Sequence, residues 1–280
     1  MPDPKQLPYL LKLLDDDSLL VREIVLKELA SFGPALEEEL ARQGASPHIY
    51  RIPVIQTILE DQNRIWVKKR WSSWFRLKED RQRLEAALNL IAQFQNGKSY
   101  PVKLKSLLDE LAREYDSTYK NRDARVLSNF LFKVKRLEGA RSDYYNPLNS
   151  NLVHVIEEKR GIPITLACIY ILVGHRLGLN IRGVNFPGHF LARASIGKRK
   201  IIVDCFNGGR FLDEGELAKL KNAVPIVIDH ITRLECDART IIGRVLRNLI
   251  NAYHRANNEA NVRCMGDLLR TLGMEDVTLE

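Results

Sequence analysis

Residues 181–209, IRGVNFPGHFLARASIGKRKIIVDCFNGG, are the stretch that decides the fold. Apolar and β-branched residues form three short runs in it, at 181–184, 190–194 and 200–203, with glycine, proline and lysine between them. Runs of this length bounded by turn residues predict strands, and Asn207-Gly208-Gly209 is typical of a tight turn. The sequence therefore predicts a small antiparallel sheet in this part of the chain.

Two titratable residues stand at the ends of these strands. His189 follows Gly188 where the second strand begins, and Asp204 ends the third strand. Antiparallel pairing would bring the two side chains together. An aspartate that accepts from one imidazole nitrogen fixes the tautomer and leaves the other nitrogen able to act as a base. The other interpretation is a histidine that only satisfies a carboxylate at the end of a sheet, and spacing alone leaves both open.

Apolar residues at spacings of three and four predict helices on both sides of the sheet. They recur through the first 139 residues, where nothing indicates a strand, and again at 239–273, where they predict a pair of helices. A further short helix is predicted at 214–220. The expected fold class is therefore α+β, mostly helical with a small antiparallel sheet.

We expect three regions along the chain. Residues 1–80 form a helical N-terminal region, and the two helices around residues 15–18 resemble a HEAT-like hairpin. A second copy at the expected period of about 40 residues is not recognisable, so a plain all-helical region is the simpler interpretation. Residues 81–235 hold the sheet and its preceding helices, and residues 236–280 form a C-terminal helical hairpin.

A nucleophile for His189 would have to come from the apolar helix predicted at 164–177, because a helix N-terminus lowers the pKa of a thiol. Thr165 lies in its first turn and Cys168 in its second. Cys168 stands in the apolar run Leu-Ala-Cys-Ile-Tyr, which is typical of a buried and inert thiol. Cys205 follows Asp204 directly, so strand alternation should point it to the opposite face.

The composition is that of an ordinary globular chain with an excess of positive charge. Its 280 residues include 43 Lys and Arg against 35 Asp and Glu, which gives a net charge of +8. No apolar run approaches the roughly 20 residues that a bilayer span needs, and the first residues lack the layout of a signal peptide. We therefore expect a cytoplasmic protein that does not bind a membrane, with free thiols because its four cysteines lack paired spacing.

The histidines and cysteines do not form a metal-binding pattern. The six histidines are isolated, and neither His-Glu-x-x-His nor Cys-x-x-Cys occurs. A Gly-x-x-x-x-Gly-Lys phosphate loop is also missing. We therefore expect neither a metal nor a cofactor.

All three tryptophans lie in residues 65–76, IWVKKRWSSWFR. Aromatic residues interleaved with Lys and Arg can stack on bases and neutralise phosphates, so nucleic-acid binding is one interpretation. The other is an amphipathic helix, because Trp66, Trp71 and Trp74 are at roughly helical spacing and would pack on a core with the basic residues outward. We favour the amphipathic helix.

Five segments resemble the bacterial SirB family, whose core is transglutaminase-like and related to papain-type folds. They are Asn149-Ser150-Asn151-Leu152, Arg160-Gly161-Ile162-Pro163-Ile164, Arg176-Leu177-Gly178-Leu179, Gly183 to Phe190, and Asp204 to Gly209. The resemblance is dense at 146–212 and extends from about Leu84 to the C-terminus, where the last helix pair is similar to a tetratricopeptide hairpin. The first 80 residues lie outside it.

The resemblance implies roles for three positions. Transglutaminase-like enzymes use a Cys at the start of a helix, then a His and an Asp on the strands that follow. His189 and Asp204 take the last two places, but aligning the helix puts Pro163 in the place of the Cys. Since proline carries no nucleophile, the resemblance implies an active-site frame without its thiol.

The resemblance leads first to a hypothesis without catalysis. The core would keep its His/Asp cleft and act as a binding or regulatory module, and its partner would be a protein or a peptide. Asn149, Pro163, Thr165 and Asn207 are the candidate binding residues.

The alternative hypothesis is an enzyme of the Cys-protease type, either a hydrolase or an acyl transferase. Cys168 would be its relocated nucleophile, His189 the base and Asp204 the residue that orients the base. This hypothesis requires the Cys168 sulfur to come within hydrogen-bond reach of the His189 ring.

Overall fold

A computed structural model describes residues 2–33, 35–45, 48–186, 188–197, 199–212, 216 and 236–274. The chain forms two compact units. One consists of Met1–Arg70 with Gln93–Pro101, and the other of Trp71–Ala92 with Val102–Glu280. This division concerns compactness alone, so the three predicted regions stay a prediction. Within the described part of the chain, no helix is both long and apolar enough to cross a membrane.

The first unit consists of helices packed on a small apolar core. Its helices are α1 (Leu7–Lys12), α2 (Leu19–Ser31), α3 (Ala35–Arg42) and α4 (Pro53–Arg70). Ser18 caps α2, because its hydroxyl oxygen accepts from the Val21 N–H at 3.4 Å. The core of this unit contains Leu7, Val25, Leu29, Leu36, Leu40 and Ile55.

Within the described residues, seven further helices follow. They are α5 (Asp80–Asn96), α6 (Leu104–Thr118), α7 (Ala124–Asn129), α8 (Leu152–Glu158), α9 (Pro163–Arg176), α10 (Ala238–Arg255) and α11 (Glu259–Arg270). A π-helical turn, Phe130–Val134, extends α7. The helix pair predicted at 239–273 is confirmed as α10 and α11. The helix predicted at 214–220 falls on residues that, except for Glu216, lie outside the described ones.

Four strands form an antiparallel sheet in chain order. They are β3 (Ile181–Phe186), β4 (His189–Ile196), β5 (Arg199–Asp204) and β6 (Arg210–Leu212). The three predicted strands are confirmed, and each is longer than predicted because its polar ends stay in the ladder: Ser195 pairs with Lys200, and Ile196 with Arg199. The expected fold class, mostly helical with a small antiparallel sheet, is confirmed.

A second, two-stranded sheet corrects the expectation of helices alone in the first 139 residues. β1 (Glu138–Gly139) and β2 (Arg160–Gly161) pair in parallel. The Glu138 N–H donates to the Lys159 carbonyl at 2.8 Å, and the Ala140 N–H to the Gly161 carbonyl at 2.9 Å. Strands of two residues are too short to show any periodicity, which is why the sequence does not reveal them.

Helix α9 is buried along nearly its whole length. Every residue from Pro163 to Gly174 is buried. The helix contacts β3 and β4 as well as α6, α7 and α8. A helix that is apolar on every side must be covered on every side. The apolar run that begins at Ile164 is therefore the centre of this core.

Trp71 and Trp74 are buried, whereas Trp66 is only partly buried. The predicted single amphipathic helix is interrupted, because α4 ends at Arg70 and a 3-10 helix, Trp71–Arg76, follows it. Trp71 and Trp74 are 1% and 2% exposed, and their rings meet edge to face with centroids 5.9 Å apart. Rings that are buried against each other cannot stack on nucleic-acid bases. This packing removes the main reason to expect a nucleic-acid surface at residues 65–76.

Gly209 has no room for a side chain, and this gives a test of the packing around the sheet. Its φ is +69°, and an added Cβ would overlap with Ser128 Oγ and the Phe132 ring, since both would lie closer than van der Waals contact allows. We expect Gly209→Ala to lower the free energy of unfolding by about 3 kcal/mol, since overpacking adds to the strain of a left-handed alanine. Urea unfolding followed by tryptophan fluorescence measures this.

Gly178 provides the matched control for this experiment. Its φ is +73°, but an added Cβ would meet no atom within 4 Å. Gly178→Ala should therefore cost only the backbone strain, about 1 kcal/mol. Equal losses for the two variants would contradict the packing described for Gly209.

Candidate functional site

His189 and Asp204 lie at the same end of the antiparallel sheet. Ala192 of β4 pairs with Val203 of β5, and the same register places Asp204 two residues from the position directly opposite His189. Diagonal neighbours on one face of a sheet are within reach of each other's longer side chains. Strand pairing thus brings the two residues together, as the sequence pattern suggested, while their catalytic role stays a prediction.

Asp204 is held by three hydrogen bonds. Its Oδ1 lies 2.9 Å from His189 Nε2 and accepts from the Asn207 N–H at 3.1 Å, while its Oδ2 accepts from Asn207 Nδ2 at 2.6 Å. Burial alone would raise the pKa of Asp204, but the hydrogen bonds from His189 and Asn207 outweigh burial and hold this pKa below the ordinary 3.8. Asp204 is therefore a carboxylate at neutral pH.

The contact with Asp204 decides which nitrogen of His189 remains for other partners. Nε2 faces the carboxylate, and a neutral imidazole that donates from Nε2 carries its lone pair on Nδ1. The His189 side chain is 18% exposed, against 3% for Asp204. The buried Asp204 carboxylate thus orients the imidazole through Nε2. Nδ1 is the ring atom left to accept a proton or a hydrogen bond.

Phe206 forms a wall next to His189. Its ring meets the His189 ring nearly at right angles, with centroids 6.1 Å apart, and meets Tyr144 in the same manner at the same distance. Behind Phe206, Gly139 leaves the space for the ring, because a Cβ at Gly139 would lie 2.6 Å from a ring carbon. The Arg141 guanidinium lies 5.0 Å from the ring centroid.

Arg244 of α10 supports the strand end that precedes His189. Its Nη1 donates to the Phe186 carbonyl at 2.8 Å and to Asn185 Oδ1 at 2.5 Å. The guanidinium also lies over the Phe190 ring, 5.6 Å from its centroid. Burial lowers the pKa of Arg244 despite the opposing influence of Tyr144 and Cys236. The C-terminal helices therefore fix β3 and β4 on both sides of the turn that leads to His189.

A metal ion would find few ligands here. Within the ranges that the structure describes, no group of three or more His, Cys, Asp or Glu side chains is arranged to hold one. The His189–Asp204 pair contacts the Asn207 amide and the Phe206 ring. The site is built for hydrogen bonding and aromatic contact.

The model of the transglutaminase-like superfamily matches residues 98–247, which is more than half of the chain. The chain belongs to the transglutaminase-like superfamily. The match includes β1 to β6, α9 and the first part of α10, and therefore both members of the His189–Asp204 pair. No solved structure matches the chain significantly.

Several curated proteins are similar to part of the chain. A UPF0162 protein of Xylella fastidiosa is 38% identical over 153 residues, which are 52% of this chain and 54% of that protein. A UPF0162 protein of Vibrio cholerae is 29% identical over 178 residues, 60% of this chain and 63% of that protein. F-box only protein 21 of Mus musculus is 28% identical over 150 residues, 51% of this chain and 24% of that protein. The chain spans about half the length of the first of these relatives.

The start of α9, where a transglutaminase-like enzyme is expected to carry its thiol, is a closed frame. Pro163 is buried at the first turn of the helix. The hydroxyl oxygen of Thr165 accepts from the Ile162 N–H at 3.1 Å and lies 3.0 Å from the Asn149 carbonyl oxygen. Asn149, 4% exposed, donates from Nδ2 to the carbonyls of residues 143 and 144. All three residues are buried parts of this frame. The binding role of Asn149, Pro163 and Thr165 stays a prediction.

Cys168 makes no hydrogen bond to either member of the His189–Asp204 pair. Cys168 is 0% exposed, and burial raises the pKa of its thiol. Burial, together with the nearby Asp204 and Cys168, raises the pKa of Cys205, and Cys205 lies in the turn directly after β5, so the predicted strand alternation does not apply to it. Cys168 thus lies near Cys205, and its thiol makes no hydrogen bond to His189.

Three residues of the site escaped the sequence reasoning. Phe206 stands inside the quoted Asp204–Gly209 segment, so its position beside Asp204 was the available signal. Arg141 was recognisable only as one of many basic residues, and Arg244 lies 55 positions from His189 along the chain. No local pattern could have connected Arg141 or Arg244 with the site.

The lowered pKa of Asp204 makes a testable contribution to stability. A carboxyl whose folded pKa lies below its unfolded value stabilises the fold above the unfolded pKa, and this contribution is lost as the pH falls through the folded pKa. We expect Asp204→Asn to reduce the free energy of unfolding at neutral pH by about 2 kcal/mol. The difference from wild type should shrink as the pH falls below 3.8 and then through the lower pKa of the folded state, where the native carboxyl itself takes up a proton.

Urea unfolding at neutral pH and at successively lower pH measures this difference. The control is Glu110→Gln, which changes an exposed carboxyl on α6. A difference for Asp204→Asn that stays constant down to the lowest pH would contradict the hydrogen-bonded carboxylate described here.

Proposed function

We propose that this chain is a SirB-like member of the superfamily, acts in the cytoplasm, and binds a protein or peptide segment at the His189–Asp204 end of its sheet without thiol catalysis. The observation that carries this proposal is Pro163 at the first turn of α9. From the resemblance to the SirB family, we expect the nucleophile of transglutaminase-like enzymes at that position. A proline side chain has neither a thiol nor a hydroxyl to offer.

The state of the four cysteines supports a function without a nucleophilic thiol. Cys168, Cys205, Cys236 and Cys264 are all buried. Burial raises the pKa of Cys168 and Cys205, and burial together with Asp237 raises that of Cys236 to about 12. Since the thiolate is the nucleophile, thiols of this kind are unreactive at neutral pH.

The surface around His189 supports a binding role. His189 and Phe206 are partly exposed and Asn207 is exposed, while Asp204 beneath them is buried. Hydrogen bonds and ring contacts hold these side chains in one arrangement, so the side chains would lose little conformational entropy when a ligand binds. The likeness to F-box only protein 21 is a second reason to propose a protein partner. We include in this proposal the helical regions at 1–80 and 236–280 as separate domains beside the core.

The alternative, an enzyme with Cys168 as a relocated nucleophile, requires a movement of the core. The Cys168 thiol would have to leave a fully buried site and come within hydrogen-bond reach of the His189 ring. Such a movement would expose apolar surface of α9. The enzyme alternative is therefore retained only as one possible outcome of the thiol-labelling experiment.

Labelling the native full-length chain with iodoacetamide tests whether a reactive thiol exists. We expect less than one modified cysteine per chain under native conditions and four after unfolding, since all four thiols are buried. Intact-mass spectrometry counts the modified residues. His189→Ala is the site variant, and His254→Ala is the matched control because His254 also contacts a carboxylate, Glu259, at 3.1 Å.

The labelling result separates the two hypotheses. Stoichiometric modification of one native cysteine that disappears in His189→Ala and persists in His254→Ala would overturn the binding proposal in favour of the Cys-type enzyme. Slow modification that is the same in wild type and both variants would agree with buried thiols.

Selection from a random peptide library on the immobilised full-length chain tests the binding role directly. We expect wild type to enrich peptides of related sequence. Phe206→Ala should lower the affinity for these peptides by about tenfold or more, as truncation of a central aromatic residue does at peptide interfaces. Tyr9→Ala is the control, since Tyr9 is 68% exposed and lies in the first unit. Failure to enrich any peptide, or equal weakening by both variants, would count against the proposal.

A further inference from the structure

A cleft of about 470 Å³ lies on the side of Phe206 that bears Arg141. Its lining includes Lys133, Glu138, Arg141, Arg160 and Phe206. We call it the cationic cleft. It adjoins the His189–Asp204 pair through Phe206 and the residue that follows it, but neither member of the pair lines it.

Two of the three cations in the cleft have no carboxylate to neutralise them. Arg160 pairs with Glu138 at 2.9 Å, and both side chains are more than 60% exposed. Lys133 and Arg141 form no ion pair with any residue that the structure describes. Three cations and one carboxylate leave the lining with a charge of +2. An uncompensated charge of this sign in a concave surface attracts an anionic group.

Arg141 is fixed in place before any ligand arrives. Its Nη2 donates to Asn207 Oδ1 at 2.5 Å, and its guanidinium lies over the Phe206 ring. These contacts use one edge and one face of the guanidinium and leave other N–H donors for an anion. A preordered arginine binds a carboxylate at a smaller entropic cost than a freely rotating one.

The backbone of β1 favours a peptide as the source of the anion. The N–H groups of Glu138 and Ala140 both donate towards β2, so strand alternation directs the N–H and C=O of Gly139 to the other edge. Gly139 lines the cleft. An extended peptide beside a strand edge can bond to such groups and place every second side chain in a pocket.

We infer that the cationic cleft binds an acidic side chain of an extended peptide, with Lys133 and Arg141 as the residues that select the charge. This inference rests on the proposed binding function and adds the class of partner, an acidic peptide segment. The selected segment would run from the His189 end of the sheet past Phe206 into the cleft.

The same peptide selection tests the inference through the charge of the enriched sequences. Wild type should enrich Asp or Glu at one fixed position, and a selected peptide should bind about fivefold more tightly than its counterpart with Gln or Asn at that position, as expected for partly exposed ion pairs. The double variant Lys133→Gln/Arg141→Gln should abolish this difference. Lys133→Glu should shift the enrichment towards Lys or Arg.

The double variant Lys200→Gln/Arg263→Gln is the matched control. It removes the same total charge from two exposed residues of the second unit that do not line the cleft. It should keep the preference for the acidic peptide. Lys133 makes no ion pair with a described residue, so Lys133→Gln alone tests the charge even where the double variant proves unstable.

The outcomes distinguish the inference from the proposed function. Enriched peptides that depend on Phe206 but show no acidic preference would overturn the inference and leave the binding function standing. No enriched peptide at all would overturn both. Oligothymidylate that binds more tightly than the peptides, and loses affinity in Lys133→Gln/Arg141→Gln, would replace the acidic peptide by a nucleic-acid strand.

Discussion

The burial of α9 on every side is the constraint on which the second unit depends. A helix without a polar face must be covered by β3 and β4 on one side and by α6, α7 and α8 elsewhere. Its first turn is locked to the segment at 147–150 through Thr165 and the Asn149 carbonyl. The end of the sheet that carries His189 therefore packs on a tightly covered core. Movement of that core would expose apolar surface, and the free-energy cost of this exposure opposes the movement.

The site itself is organised by one carboxylate. Asp204 accepts from His189 and twice from Asn207, and Asn207 accepts from Arg141. A continuous series of hydrogen bonds therefore runs from the sheet end into the cationic cleft. Because Asp204 is the buried member of this series, it orients His189 directly and Arg141 through Asn207.

Sequence patterns predicted those parts of the fold and site that rest on local order. The apolar runs at 181–184, 190–194 and 200–203 predicted the strands, and the strand ends placed His189 near Asp204. The two-residue strands β1 and β2 carry no period, and the contact of Arg244 with Phe186 joins positions 58 apart. Contacts of that kind depend on how helices pack around the sheet, and a single sequence does not encode them in any short pattern.

The burial of all four cysteines has a consequence for how the protein ages in air. Their exposed fractions range from 0% to 8%, so a disulfide between two molecules requires at least local opening of the core. Disulfide-linked dimers on a non-reducing gel would therefore report local opening of the core. Their rate of appearance would measure how often the second unit opens.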